Sequence, residues 1–266
     1  MSGDRREALE IVFALGCEST DEFEIGSTKF SHLVKVKGIS AANALRIIIS
    51  AMRQSGMAME FKENGQGKTI SADSYLKRVE KRGKLSDIVA GGLLFRFGQV
   101  TALKHSFIRV EEIEAGSAIS WENWLNPFLA EDGFTQAWVS DVEYDYWQNA
   151  KDPLDYDVAG RSYKHLPMKS NGLPPPVERL EIDTSKNPGR WLLKSGYREA
   201  IGSIMWLSDV FWSHVGRKNR EDLLSADWLD VQIVDNGIAK IVSYEHCFCD
   251  ETTGDVQNKL RAIIYS

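Results

Sequence analysis

The densest run of ligand-type residues is His246-Cys247-Phe248-Cys249-Asp250, near the C-terminus. Thiolate and imidazole are the donors that zinc prefers in proteins. On an extended strand, however, Cys247 and Cys249 would share one face and His246 would lie on the other, because side chains alternate along a strand. The sequence therefore predicts no metal site. It predicts two small buried thiols at the end of a core strand, since free cysteine is among the most buried residue types.

Two other short motifs have the spacing of known chemistry. Gly67–Thr69 matches the end of a phosphate-binding loop, but Lys62 stands where that loop needs its first glycine. Ser74 and Lys77 have the spacing of the nucleophile and lysine of penicillin-binding enzymes, without the companion motifs of that class. The sequence therefore predicts a plain turn and a chance match, with no catalytic residue and no cofactor.

Charge is distributed unevenly along the chain. The 38 acidic residues exceed the 32 lysines and arginines and give a formal net charge of −6. Residues 131–157 alone contain eight acids and one base, a local charge of −7, which leaves the rest of the chain at +1. Nucleic-acid binding needs a basic surface that displaces counterions. The sequence therefore predicts no nucleic-acid partner.

Aromatic side chains overlap this acidic segment. Trp121, Trp124 and Phe128 recur at helical spacing, which is typical of core packing. The later aromatics interleave with acids, a combination of apolar anchors and charge that suits a protein interface. The alternative is a solvated strand end followed by a loop. The residues that we predict to bind a partner protein are Asp141, Glu143, Tyr144, Asp145, Tyr146, Trp147, Asp152, Asp155 and Asp157.

Hydrophobic periodicity predicts the elements that position these residues. The chain should open with an amphipathic helix that buries Leu9, Val12, Phe13 and Leu15. Further helices are predicted over 40–52, 71–79, 120–129, 203–214 and 254–264, and strands over 30–36, 57–62, 93–97, 106–113, 134–142 and 177–182, with a turn at 64–67. Residues 228–234 and 238–244 should form a hairpin around Asn236-Gly237, because this pair tolerates the positive φ angles of a tight turn.

These elements predict an α+β fold with a mixed, mainly antiparallel sheet, or sheets, and packed helices. Strand, helix and strand follow one another twice, over 30–62 and 106–142, so two similar β-α-β-containing halves are an open option. Residues 151–190 hold six of the seven prolines and few predicted elements. We expect a single domain over 1–266. The alternative is a pair of subdomains, 1–150 and 177–266, joined by this long Pro-rich loop.

The sequence has no apolar run of membrane-spanning length, so no membrane association is expected. Its three cysteines, Cys17, Cys247 and Cys249, are too few for a disulfide framework. A reducing compartment is therefore predicted, with the cytoplasm as the default location.

Several short stretches carry a resemblance to a known class. They are Asp141-Val142-Glu143-Tyr144, His165-Leu166-Pro167, Asn171-Gly172-Leu173-Pro174-Pro175, the run from Ile182 to Arg190, Met205-Trp206-Leu207 and Phe211-Trp212. Together they cover about a quarter of the chain, and they resemble bacterial immunity proteins of polymorphic and type VI secreted toxin systems. The resemblance implies a cytoplasmic protein that binds and blocks a cognate toxin without catalysis. It implies no residue-by-residue binding site.

Charge and composition agree with this expectation, because an acidic inhibitor gains association rate and specificity against a basic toxin, with nucleases as one such class. A different class of function stays open. The segment 152–190 could be the lid of a hydrolase-like α+β enzyme that uses Asp141, Asp155, Asp183 or His165 as acid-base groups. A third option is a structural or adaptor domain of a secretion assembly.

Overall fold

The computed structural model describes residues 5–25, 28–64 and 67–265, with side chains described outside 17–37 and 235. The strands are β1 (Glu7–Ala14), β2 (Gly16–Ile25), β3 (Thr28–Lys37), β4 (Glu60–Glu63), β5 (Ile70–Ser71), β6 (Ile88–Ala90), β7 (Leu93–Val100), β8 (His105–Glu112), β9 (Phe134–Asp141), β10 (Met168–Ser170), β11 (Leu180–Ile182), β12 (Leu192–Lys194), β13 (Tyr197–Glu199), β14 (Ile204–Leu207), β15 (Asp230–Ile233) and β16 (Ala239–Val242). The helices are α1 (Ala41–Gln54), α2 (Ala72–Arg82), α3 (Trp121–Leu129), α4 (Val142–Asn149), α5 (Pro153–Val158), α6 (Asp209–Val215), α7 (Arg217–Leu224) and α8 (Gly254–Tyr265).

Ten of the strands form one sheet, in the order β15-β16-β14-β9-β1-β8-β7-β6-β4-β5. Neighbouring strands in this sheet are antiparallel. The pairs β2-β3, β10-β11 and β12-β13 are separate two-stranded sheets. The prediction of an α+β fold with mainly antiparallel sheets is therefore confirmed. Strands that precede and strands that follow the Pro-rich segment 151–190 belong to the same ten-stranded sheet.

The predicted opening helix is wrong, because these residues form β1 at the centre of the sheet, between β8 and β9. Residues 8–13 are all buried. A strand covered on both faces shows a near-continuous apolar run instead of alternation. In such a run Leu9, Val12 and Phe13 also fit a helical spacing, so periodicity alone could not distinguish the two structures.

The second predicted β-α-β unit is confirmed. Both β8 and β9 are antiparallel to β1, so they are parallel to each other with β1 between them, and α3 connects them. The first predicted unit is wrong as a β-α-β unit. In the described part of the chain β3 pairs with β2 in a separate hairpin, whereas β4 lies in the main sheet.

Helices cover both faces of the sheet. On one face Leu9, Ile11 and Phe13 of β1 join a core with the buried side chains of α1, α2 and α3. On the other face Val12 and Trp138 join a second core with α6 and α8. The division follows from the alternation of side chains along a strand. None of the described helices has the length and apolar character needed to cross a membrane.

Three other predictions need correction, and one is confirmed. The predicted helix over 203–214 is strand β14 followed by α6, with Ser208 as the N-cap that accepts from the Phe211 N–H. The predicted strand over 177–182 shortens to β11. The thiols Cys247 and Cys249 lie in an irregular segment and not on a strand.

The hairpin of β15 and β16 is confirmed, and Asn236 and Gly237 both have positive φ. The predicted turn at 64–67 includes two residues outside the described part.

Candidate functional site

A cavity of about 740 Å³ opens between the sheet and α4. Strands β1 and β8 form its floor, and Asp145 and Tyr146 of α4 form one wall. Asp155 of α5 and Trp191 also line it. The cavity has the size range of small-ligand sites, and it combines aromatic side chains with converging charged groups. It is therefore the first place to seek a function.

A cluster of five charged side chains lies at the cavity floor. Arg109 Nη1 donates to Glu10 Oε1 at 2.8 Å, and Arg109 Nε donates to Glu111 Oε2 at 2.8 Å. Arg198 Nη1 donates to the other Glu10 oxygen at 3.2 Å. Arg109 Nη1 also lies 3.5 Å from Asp145 Oδ2. The register of the sheet brings Glu10 of β1 opposite Arg109 of β8, whereas Arg198 comes from β13 of the separate β12-β13 sheet. Three carboxylates face two guanidiniums, a formal charge of −1.

Arg198 is held in place from several directions. Its guanidinium lies over the ring of Phe107 at 4.5 Å and near that of Trp191 at 5.6 Å. The Gln136 side chain hydrogen-bonds both the backbone N–H and the carbonyl of Arg198. The Nε atom of Arg198 is buried without a hydrogen-bond partner among the described residues. The arginine is thus a fixed part of the floor and not a mobile surface side chain.

Asp145 is the least well satisfied carboxylate of the cluster. Its oxygens lie 3.5 Å from Arg109 Nη1 and 3.5 Å from Asn149 Nδ2, both at the limit of hydrogen bonding. Burial raises the pKa of Asp145 to about 6, and the neighbouring Glu10 also raises it, whereas Arg109 opposes the shift. Carboxylates with raised pKa values in a cavity are concentrated at functional sites.

Replacing Asp145 with asparagine should stabilise the protein at neutral pH. The pKa of this carboxyl is about 6 in the folded protein against an ordinary value of 3.8, so its ionisation disfavours the folded state. This cost grows between about pH 4 and pH 6 and is complete above that range. We expect Asp145→Asn to raise the free energy of unfolding by on the order of 2 kcal/mol at about pH 7.5 and by little at about pH 4.

Urea unfolding across this pH range measures the effect. The control is Asp222→Asn, which changes an exposed aspartate on α7. An Asp145→Asn variant that is less stable than the natural protein at about pH 7.5 would contradict the expected sign.

Residues 142–149 form helix α4, and not the solvated strand end and loop of the alternative interpretation. A helix turns successive side chains to different faces, so the predicted partner-binding residues are separated. Asp141 is buried and caps α4 by accepting from the Tyr144 N–H at 2.7 Å. The Tyr144 hydroxyl hydrogen-bonds Gln257 of α8. Asp141 and Tyr144 therefore hold α4 against the rest of the protein.

The next residues of α4 diverge as well. Asp145 and Tyr146 line the cavity together with Glu143, and Tyr146 is 49% exposed. Trp147 packs edge-on against Tyr146 and the α5 residue Tyr156, with ring centroids 4.9 and 4.7 Å away. Trp147 is thus part of a small local core.

The three predicted acids of α5 have separate roles. Asp152 caps α5 through the Leu154 N–H and pairs with Arg179 at 3.2 Å. Asp155 lines the cavity, and Asp157 is exposed. Of the nine predicted residues, the structure therefore brings Glu143, Asp145, Tyr146 and Asp155 together at one site.

The acid-base groups predicted for an enzyme are dispersed. Asp183 pairs with Lys169 at 2.9 Å, and His165 is exposed. Asp141 is the buried cap of α4, and Asp155 alone of the four lines the cavity. The functional candidates that sequence analysis missed are Glu10, Arg109 and Arg198. One signal was available for Glu10, since it is a charged residue inside the apolar run that forms β1.

The cysteines do not join a ligand cluster. Among the described residues, no group of three or more His, Cys, Asp and Glu side chains could hold a metal ion. Cys247 and Cys249 are half-buried, and burial raises the pKa of the Cys247 thiol. The sequence analysis placed His246 on the strand face opposite to Cys247 and Cys249. That argument does not apply, because these residues are not in a strand. The side chain of Cys17 lies outside the described part.

Exposed apolar side chains are concentrated in one part of the sequence, which begins in α4. Fourteen large hydrophobic residues are exposed in the described part of the chain, and nine of them lie within 146–193. These nine are Tyr146, Leu154, Val158, Met168, Leu173, Val177, Leu180, Leu192 and Leu193. Glu143, Asp155 and Asp157 add acidic groups to the same helices. We call the exposed residues Glu143, Tyr146, Leu154, Asp157 and Val158, together with the half-buried Asp155, the α4–α5 surface.

Comparison of the chain with protein-family models, with curated proteins and with solved structures finds no match in any of the three.

Proposed function

We propose that the protein is a cytoplasmic immunity protein that binds a basic bacterial toxin domain and neutralises it by direct contact, without catalysis. The observation that carries this proposal is the concentration of nine exposed large hydrophobic residues within 146–193. Many exposed apolar side chains within one segment, interspersed with charged residues, favour a protein-binding role over a purely solvated surface.

The charge of this region supports a basic partner. Glu143, Asp155 and Asp157 lie on the α4–α5 surface, and residues 131–157 contain eight acids and one base. Acidic groups around an apolar centre would steer a cationic domain during encounter and would repel acidic proteins. The resemblance of the stretches between 141 and 212 to immunity proteins supports the same role.

A pull-down from the native bacterium, followed by mass spectrometry, tests the proposal and identifies the partner. The protein and the product of the adjacent toxin gene should then form an equimolar complex in isothermal titration, with a dissociation constant of nanomolar order or tighter. Co-expression should also restore growth of cells that produce the toxin. An absence of binding to the products of all neighbouring genes would contradict the immunity role.

A second candidate function is an acid-base enzyme, and the geometry of Asp145 is the observation that favours it. A carboxyl with a pKa of about 6 in an open cavity has the protonation behaviour of a general acid or base. Stoichiometry separates the two functions. A binding protein protects against the toxin only up to equimolar amounts, whereas an enzyme that inactivated the toxin would protect at substoichiometric amounts.

A further inference from the structure

We infer that the cavity between the sheet and α4 receives one guanidinium or ammonium group on an alkyl stem, presented as an arginine or lysine side chain of the partner. That the cation belongs to a partner protein rests on the proposed function. That the cavity prefers a cation does not rest on it, because this preference follows from the charges of the isolated chain.

The cavity floor lacks one positive charge. Glu10 is paired by both arginines, and Glu111 accepts from Arg109 at 2.8 Å. The Asp145 carboxylate has only the two contacts at 3.5 Å, although just 18% of its side chain is exposed. A buried carboxylate without close partners is costly. A cation that entered the cavity would supply the close charged hydrogen bonds that Asp145 does not find within the chain.

The mouth of the cavity does not cancel this preference. Arg6 and Lys151 line the mouth, but both are exposed, so solvent and salt screen them. Arg96 also lines the cavity, but its Nε donates to Asp87 at 2.9 Å. Asp155 and Glu143, which pairs with Arg161, are the other acids of the lining. The local imbalance is at the floor, where three carboxylates face two guanidiniums and where screening is weakest.

The walls and the location of the cavity favour a side chain of a docked protein. Tyr146 and Trp191 line the cavity, and aromatic faces attract organic cations. Tyr146 and Asp155 also belong to the α4–α5 surface. A partner bound to that surface would cover the mouth and could place a long basic side chain inside. A volume of about 740 Å³ accommodates such a side chain.

Titration of the isolated protein with N-acetyl-L-arginine methylamide, followed by NMR, tests the site without the toxin. The control ligand is the citrulline analogue, which has the same shape without the charge. We expect saturable shifts of the Asn149 side-chain amide and the Trp191 indole, with binding weakened about tenfold or more for the citrulline analogue. Asp145→Asn should weaken binding of the arginine probe to a similar extent, whereas Asp222→Asn on α7 should leave it unchanged.

Equal binding of both probes, or full binding by Asp145→Asn, would overturn the inference. A second measurement on the natural protein needs no variant. Saturating arginine probe should lower the midpoint of the Asp145 carboxyl titration, observed by carbon-detected NMR, by about one pH unit or more. An unchanged midpoint would also overturn the inference. The charged groups that act on this carboxyl are Arg109 on β8, Glu10 on β1 and Arg198 on β13. The other charged residues that line the same cavity are Arg6, Arg96, Glu111, Glu143, Lys151 and Asp155.

Free L-arginine, titrated in parallel, distinguishes the source of the cation. The blocked probe should bind at least as tightly as the free amino acid if the site recognises a side chain within a protein. Tighter binding of free arginine would overturn the assignment to a partner and would indicate a soluble amino acid. Because these titrations use the isolated chain, their result is independent of whether the toxin is found.

Discussion

Replacing Glu10 with glutamine should lower the free energy of unfolding by about 3 kcal/mol. Glu10 is 4% exposed and accepts hydrogen bonds from both Arg109 and Arg198. Glutamine keeps the shape but removes the charge, and its amide N–H groups would face a guanidinium that also only donates. Arg198 would then remain buried without a carboxylate partner, which is the costly outcome when one member of a buried ion pair is removed. Urea unfolding measures the change.

The matched control is Glu143→Gln on α4. Glu143 pairs with Arg161 at the surface, and its side chain is 66% exposed. Exposed pairs contribute less than about 1 kcal/mol, so this variant should unfold almost as the natural protein does. A Glu10→Gln variant that unfolds with the same midpoint as Glu143→Gln would show that water in the cavity already screens the floor. The buried ion cluster would then not stabilise the fold.

The predicted effects of Glu10→Gln and Asp145→Asn on the free energy of unfolding have opposite signs. Glu10 should stabilise the folded protein, whereas Asp145 should destabilise it near neutral pH. A core designed for stability alone would not include an under-satisfied carboxylate beside Glu10. Side chains that reduce stability are concentrated where function requires them. This makes Asp145, more than its better-paired neighbours, the residue of the cluster with a binding role.

Several elements could be predicted from the sequence because one local signal was sufficient. Helix α1 has a buried stripe at helical spacing behind the cap Ser40, which accepts from the Asn43 N–H. The hairpin of β15 and β16 was indicated by Asn236-Gly237. Strands β1 and β14 could not be recognised in the same way. Both are covered on two faces, and their continuous apolar runs remove the alternation that identifies a strand.

The candidate site was only partly predictable, for a different reason. The acidic and aromatic composition of 141–157 was visible, and Asp145, Tyr146, Glu143 and Asp155 do line the cavity. The floor depends on contacts between residues 99 and 188 positions apart in the chain, Glu10 with Arg109 and with Arg198. The contact with Arg109 follows from strand register, and the contact with Arg198 follows from the packing of the separate β12-β13 sheet. A local sequence pattern determines neither.

Truncation of Tyr146 to alanine should weaken the complex with the toxin by about 2 kcal/mol or more, mainly through faster dissociation. Tyr146 is 49% exposed at the cavity mouth and is braced edge-on by Trp147, so little side-chain entropy is lost when a partner covers it. Buried aromatic anchors of this kind dominate the binding free energy of interfaces. Surface plasmon resonance with the toxin measures both rate constants.

The acids of the α4–α5 surface should affect the association rate constant. Asp155→Asn combined with Asp157→Asn should slow association and reduce its dependence on salt, because charges at an interface rim steer the encounter. Trp147→Ala serves a different purpose, since Trp147 packs against Tyr156 and should chiefly affect folding. Circular dichroism is therefore needed before its binding is interpreted.

The matched control for Tyr146 is Tyr244→Ala, which removes a tyrosine that is 42% exposed outside the α4–α5 surface. This variant should dissociate from the toxin at the rate of the natural protein. If Tyr146→Ala and the two aspartate substitutions leave both rate constants unchanged at low and high salt, the α4–α5 surface is not the interface. The exposed apolar residues Leu173, Val177 and Leu180 of the Pro-rich segment are then the next to test, because they belong to the nine exposed hydrophobic residues within 146–193.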